Sequence, residues 1–352
     1  MRFGINVSTD DPGGRDPMSR LEDYLERGRT AADMGFDTVA VSHRYSFGPA
    51  KADARGEPLR TSRFQPLLML AHLAAELRDR VNYVTSIYMS TFAHPVQLAE
   101  DIATLDVFCR GRLRLGVGLG WMPYELEAFG IPKSERVSRF DEGIELYRRL
   151  LTEEVVNFEG KHFRARDARM IARTIQKPMP PLWVGASADP AVLRAARIGD
   201  SWIMSAHIPI DDLERQLVLY RSELNRLAKP FPDELPIVRI IYVAPERETA
   251  LKEAEPAIAK WYRERGTWGW FLTQGSAGAV ADDVMRSGRW IIGDPDDCVE
   301  QISHFRERLG VNHMLFAMPR SDSEQDKQRR SMRLLAERVL PHLRSGPTGK
   351  PT

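Results

Sequence analysis

Apolar positions follow two rhythms along this chain. Short runs rich in Val, Ile and Tyr alternate with longer stretches in which apolar residues return every three or four positions, the signatures of buried strands and amphipathic helices. The short runs predict strands at Phe3–Val7, Thr38–Ser42, Val81–Tyr88, Arg112–Leu119, Leu182–Gly185, Ser201–Ser205, Ile237–Ala244 and Asn312–Met318. The longer ones predict helices at Ser19–Met34, Gln65–Leu77, Ser134–Leu151, Pro190–Ile198, Asp211–Ala228, Glu246–Glu264, Asp296–Leu309 and Glu324–His342. A further helix lies between Val81–Tyr88 and Arg112–Leu119, with Val96, Leu98, Ala99, Ile102, Ala103, Leu105, Asp106 and Phe108 on one face. Pro95 suits its first turn, and Gly111 suits a left-handed residue just past its end. Ser19 and Glu22 read as a capping box on the first helix.

Eight strands alternating with helices predict a parallel α/β architecture. Periodicity leaves a closed barrel and an open doubly wound sheet equally open. Three stretches break the rhythm. Arg44–Arg63 is a long loop rich in Gly, Pro and Arg, of a length that is uncommon in compact domains unless the loop is functional or disordered. Val155–Phe163 reads as a hairpin turning at Glu159-Gly160, outside the main sheet. Gly266–Arg289 carries Trp268, Trp270 and Phe271 among several glycines. The expected organisation is one domain over 1–344 with insertions near 154–180 and 266–290, and a disordered tail over 345–352.

Composition narrows the classes. Of 352 residues, 43% are hydrophobic and 28% charged, enough for a large core beneath a polar surface, and the formal charge of +1 argues against nucleic acid as the main partner. The two cysteines, Cys109 and Cys298, are far apart and fit a reducing compartment. The apolar run at the N-terminus is too short for a signal peptide, and no stretch approaches a membrane span. A cytoplasmic protein without a membrane partner is the expectation.

Candidate chemistry gathers at the predicted C-terminal ends of strands. Asn6 ends the first strand and His43 the second; a neutral imidazole there hydrogen-bonds a ligand or acts as a base near pH 7, or is satisfied by backbone. Gly116-Val117-Gly118-Leu119-Gly120 lacks the spacing of a dinucleotide fingerprint, so Gly118 and Gly120 read as places where backbone approaches a planar ring. Trp121 flanks that approach. Gly185-Ala186-Ser187 ends the fifth strand and opens a helix whose N–H groups suit an anion, with the Ser187 hydroxyl as a further donor; the plainer reading is an N-cap by Ser187 or Asp189. His207 and Arg289, with Trp268 and Trp270, are weaker candidates for substrate contact. No His, Cys or carboxylate cluster has metal-ligand spacing. Glu125 and Arg136 suggest a structural ion pair.

Several of these residues also carry a resemblance. Thr85-Ser86-Ile87, His94-Pro95 with Leu98-Ala99-Glu100, Gly111-Arg112-Leu113 and Gly116 to Trp121 resemble the bacterial luciferase-like family, and the match continues through Glu125, Phe129-Gly130, Arg136 and Glu142. The resemblance implies a (β/α)8 barrel, with its active site at the C-terminal ends of the strands. It also implies a non-prolyl cis peptide at Ser86–Ile87 against a flavin or deazaflavin ring, His43 beside that ring, and the Gly185–Ser187 turn at the cofactor phosphate. The family often has a carboxylate before the histidine, where this chain has Ser42, and two glycines where it has Gly185-Ala186. The implied activity is a monooxygenase that uses reduced FMN from a separate reductase, and O2, on a small organic substrate. The alternatives are an F420-dependent hydride-transfer enzyme, with Arg44, Lys51, Arg55, Arg60 and Arg63 towards the cofactor's anionic tail, and a flavin-binding relative without turnover. Homo-oligomerisation is implied as well, with Arg44–Arg63 and Gly266–Arg289 as lids.

Overall fold

The computed structural model describes residues 1–8, 16–45, 63–266, 283–319 and 325–344. Its centre is a parallel barrel of eight strands. β1 (Arg2–Asn6), β2 (Thr38–Val41), β3 (Asn82–Thr85), β5 (Leu113–Gly118), β8 (Leu182–Ala186), β9 (Ser201–Met204), β10 (Pro236–Val243) and β12 (His313–Ala317) pair in that order. β12 returns to β1 through Arg2↔His313 to Ile5↔Phe316, and β9 meets β10 at Ile237↔Met204, so the sheet closes on itself. Alternation along each strand divides the core in two, as the pleat requires. Val39 and Val41 face the helices, while Ala40 joins Val84, Trp183, Ile203 and Leu315 in the cluster that fills the barrel.

Strand ends differ from the sequence reading where the chain bends. The run Val81–Tyr88 is broken after Thr85, and Tyr88–Met89 forms a separate two-residue strand, β4, beside Val117 and Gly118. Trp290–Gly293 is a strand, β11, that pairs the outer half of β10, although only the stretch up to Arg289 had been read as irregular and no strand was expected after it. The expected hairpin is present as β6 (Val156–Glu159) and β7 (Arg164–Ala168), a sheet of its own. Glu142 anchors its turn by accepting the N–H groups of Lys161, His162 and Phe163.

The helices begin at prolines more often than at the expected caps. The first runs Pro17–Asp33, and its cap is Asp16, which accepts the N–H of Ser19; the Ser19–Glu22 capping box is not formed. The helix Pro95–Phe108 starts at Pro95 and ends before Arg110 and Gly111, both left-handed, as its spacing predicts. Asp106 is buried in it for another reason than apolar packing: its carboxylate accepts the N–H and side-chain amide of Gln176. Phe108, placed on the same face by spacing, is half exposed. The helix Pro295–Leu309 does carry a capping box, made by Asp294 and Asp297. None of the described helices is long and apolar enough to cross a membrane. Trp268, Trp270, Phe271, Lys51, Arg55, Arg60 and the tail 345–352 lie outside the described residues.

Candidate active site

The C-terminal rim of the barrel gathers most of the sequence candidates around one bulge. β3 ends at Thr85, and the Ser86–Ile87 peptide that follows is cis. The glycines beneath it make room for it. A Cβ on Gly116 would lie 2.0 Å from the Thr85 carbonyl oxygen, and one on Gly118 1.9 Å from Ile87 Cδ1. One on Gly185 would lie 3.0 Å from Ile87 Cγ2. The Cβ side of Gly118 and of Gly185, both cofactor candidates, faces Ile87, so these glycines seat the bulge. Gly120, at φ +70°, is likewise covered by the Phe92 ring, 2.7 Å from where its Cβ would be.

His43 follows β2 and is held from several sides. Its N–H donates to the Ile87 carbonyl at 3.2 Å, and its Nδ1 accepts the N–H of Met89 at 3.1 Å. Tyr88 stacks on one face of the ring at 4.8 Å between centroids, and Tyr45 lies tilted against it at 4.6 Å. Burial pushes the imidazole down to about 4, against an upward pull from the Gln65 side chain and with lesser help from Arg63. Nε2 is buried and makes no well-formed hydrogen bond among the described residues, although the Gln65 side chain comes near enough to the ring to draw its proton affinity up. Tyr45 continues onto Phe92 and Phe129, which pack on each other at 4.9 Å, so an aromatic wall extends from His43 across the rim. Burial raises both phenols, that of Tyr88 to about 12, and both stay neutral at any physiological pH.

Neighbouring groups support this wall. Asn6 donates to Ser42 at 2.6 Å and accepts the N–H of Ser8, while Ser8 accepts the N–H of Ser42, so its side chain is engaged locally. Glu125, 1% exposed, makes no ion pair with Arg136, contrary to expectation, and its Oε2 is buried without a hydrogen bond among the described residues. Its carboxyl is pushed up by burial and drawn down by Arg44 and the Tyr45 N–H, while Arg136 reaches the Gly120 carbonyl at 3.4 Å. Trp121 is partly exposed just beyond Gly120.

The other side of the rim holds the Gly185–Ser187 turn. Gly185 and Ala186 end β8, Ser187 is exposed, and the helix Asp189–Ile198 follows with Ala188 as its N-cap residue; neither Ser187 nor Asp189 caps it. Asp189 instead holds Arg215 through two hydrogen bonds of 2.8 and 2.9 Å, and Gln216 through a third. These bonds pull its carboxyl down to about 2. His207 and Arg289, read separately in the sequence, come together: Arg289 donates to the His207 carbonyl at 3.1 Å and pairs with Asp283. Arg239, unremarked in the sequence, is fully buried and donates to the carbonyls of Ser205 and Ile208. Two arginines thus fix the loop after β9.

Tyr45, Tyr88, Met89, Phe92 and Phe129 are the residues that sequence reasoning missed. The available signal was their closeness to His43 and to the bulge, since aromatic residues beside a predicted strand end read equally well as packing.

The family model described as luciferase-like monooxygenase matches residues 1–313. An F420-dependent glucose-6-phosphate dehydrogenase of Microbacterium testaceum is 30% identical over 354 residues, covering 98% of each chain. Monooxygenase RslO1 from Streptomyces bottropensis superposes with a TM-score of 0.82 at 28% identity, covering 97% of this chain and 100% of that one. The coenzyme F420-dependent tetrahydromethanopterin reductase from Methanopyrus kandleri shares the fold, with a TM-score of 0.72 at 20% identity over 97% of this chain and 99% of that one. Barrel, bulge, rim histidine and family match converge: this chain is an oxidoreductase that belongs to the luciferase-like monooxygenase family.

Proposed function

We propose that the chain is a monooxygenase that takes reduced FMN from a separate reductase, and O2, and oxygenates a small apolar organic molecule. The observation that carries this reading is the continuous rim surface made by Ile87, His43, Tyr45, Tyr88, Phe92 and Phe129. It fits a planar, largely apolar ring, and it offers the Nε2 of His43, which has no well-formed hydrogen bond among the described residues, for the ring or its substrate. Ile87 and the glycine-seated bulge would support the ring. The Gly185–Ser187 turn and the N-terminus of the helix Asp189–Ile198 would meet the phosphate. When bound, reduced FMN supplies the electrons that activate O2, one oxygen atom going to the substrate and the other to water. The chain's own part is to orient, to exclude water with the aromatic wall, and to place a hydrogen bond at Nε2. The reading includes a homo-oligomer in the cytoplasm.

A second reading, hydride transfer with F420, is favoured by the relatives named F420-dependent glucose-6-phosphate dehydrogenase. The same shelf suits a deazaflavin ring, and Arg44 and Arg63 stand near it to meet an anionic tail. Anaerobic titration with reduced FMN and, in parallel, with F420 separates the two, read by quenching of the 7 tryptophans. Tighter binding of reduced FMN is expected. Preference for F420 would replace the first reading by the second, and binding of neither would remove both.

A further inference from the structure

We propose that His43 is a fixed hydrogen-bond donor at this rim, with its proton held on Nε2, and that it does not act as a base. The argument rests on what faces Nδ1. The group within reach of that atom is the backbone N–H of Met89, at 3.1 Å, and a backbone amide only donates. Nδ1 must therefore present a lone pair, and the single proton of a neutral imidazole is left on Nε2. This assignment does not depend on a rotatable hydroxyl or an ambiguous side-chain amide.

The ring has no easy way out of that state. Turning it over would carry Nδ1 away from Met89 and leave a buried N–H without an acceptor. Tyr88 stacks on the ring and Tyr45 packs tilted against it. Adding a proton to Nδ1 would set two donors against each other at the same distance. Nor do the surroundings favour a cation. The phenols of Tyr45 and Tyr88 are neutral and Arg63 repels a positive ring; the Gln65 side chain pulls the other way by accepting from the ring, but burial outweighs it. Glu125 lies behind Tyr45, beside the Tyr45 N–H.

A buried Nε2–H with no well-formed hydrogen bond among the described residues selects a ligand atom with a lone pair. The group it favours is a carbonyl oxygen, over a hydroxyl that must first give up its proton. His43 thus orients or polarises an acceptor, and no proton leaves the ring. This rests on the reading of the rim as the reaction site, but its test does not.

The test is a two-bond 1H–15N correlation spectrum of the full-length chain labelled with 15N-histidine, recorded from pH 5 to 8 without cofactor. His43 is assigned by its loss in His43→Gln. The expected pattern is one unprotonated Nδ1 and one protonated Nε2, unmoved across the range. A proton on Nδ1, or titration between pH 6 and 7, would overturn the proposal. Met89→Pro gives an independent check, because Met89 has φ −83°, close to what proline adopts, and the substitution deletes the donor. His43 should then exchange between tautomers and begin to titrate; an unchanged tautomer in a folded Met89→Pro chain would equally overturn it. A chain that binds neither reduced FMN nor F420 would remove the proposed function and leave the tautomer standing. A titrating His43 in a chain that binds reduced FMN would do the reverse.

Discussion

His43 and His313 sit at opposite ends of one barrel and look alike at first. Both are buried, both have one engaged ring nitrogen and one without a partner, and burial lowers both, to about 4 and about 3. They differ in the partner and in the end they occupy. His313 Nε2 meets the Thr38 hydroxyl at 3.0 Å, a group that donates or accepts, so either tautomer is allowed. Around it the N-terminal end is closed by charge: Arg114 makes a two-pronged bond to Glu234 and a third bond to Asn82, and Trp183 covers the ring edge-on. His43 meets a backbone amide that only donates, at the end where strands open into loops. An unpartnered ring nitrogen alone therefore does not mark a functional site. The chemistry of the partner and the end of the barrel do.

The pH dependence of stability is the largest expected effect and treats the two histidines alike. Each has a folded-state pKa below its unfolded value of 6.5, so the unfolded chain takes up protons that the folded chain refuses. Stability is full above pH 6.5 and falls as pH drops, to about 4 for His43 and about 3 for His313, by about 3 kcal/mol for His43 and about 5 kcal/mol for His313. Glu125, raised by burial, works in the opposite sense. Urea unfolding at pH 7, 5.5 and 4.5 should show a falling midpoint, and His43→Gln and His313→Gln should each flatten about half of the slope. Only His43→Gln is expected to alter cofactor binding. A cofactor affinity changed as much by His313→Gln would erase the distinction between the ends.

The bulge gives the next effect. At Gly116 an added Cβ meets a carbonyl oxygen of the backbone, whereas at Gly118 it meets the tip of the flexible Ile87 side chain. Gly116→Ala should cost about 3 kcal/mol and Gly118→Ala about 1 kcal/mol. Both should weaken binding of reduced FMN, while the N-terminal end keeps its ion pairs. Thermal unfolding of the two variants ranks them; equal losses would mean that Thr85 moves as readily as Ile87.

Much of the architecture was legible because strands and helices repeat a local pattern. Eight strands and most helices follow from apolar spacing to within a few residues. The break after Thr85 was not, since Val81–Tyr88 reads as one unbroken strand-like run and only the family resemblance marked the turn. β11 escaped because Trp290–Gly293 is four residues long and follows an irregular stretch. At the site, His43 and the glycines stood out as residue types with special chemistry. Their partners did not, because the bond from Met89 to His43 and the seat of Ile87 on Gly118 and Gly185 join residues far apart in sequence. Closure of the barrel likewise needs β12 to return to β1, which no local rhythm encodes.

The smallest effect concerns the anion turn, the rim's other face. Asp189 places a carboxylate in the first turn of the helix whose N-terminus would meet a phosphate, and Arg215 neutralises it through two bonds. The two charges should nearly cancel for a ligand at the turn, and Asp189→Asn would leave Arg215 unbalanced beside it. Affinity for reduced FMN at low salt should then rise by about two- to fivefold, the range expected of a single charge at a helix terminus, and the gain should vanish at high salt. Little change in melting temperature is expected, since the pair is exposed on both sides. A gain that persists at high salt would point to a rearranged turn, and a loss of affinity would mean that the Asp189–Arg215 pair is needed to shape it. Either outcome would tell whether the phosphate face, like His43 on the ring face, works through the geometry of the partners that hold it.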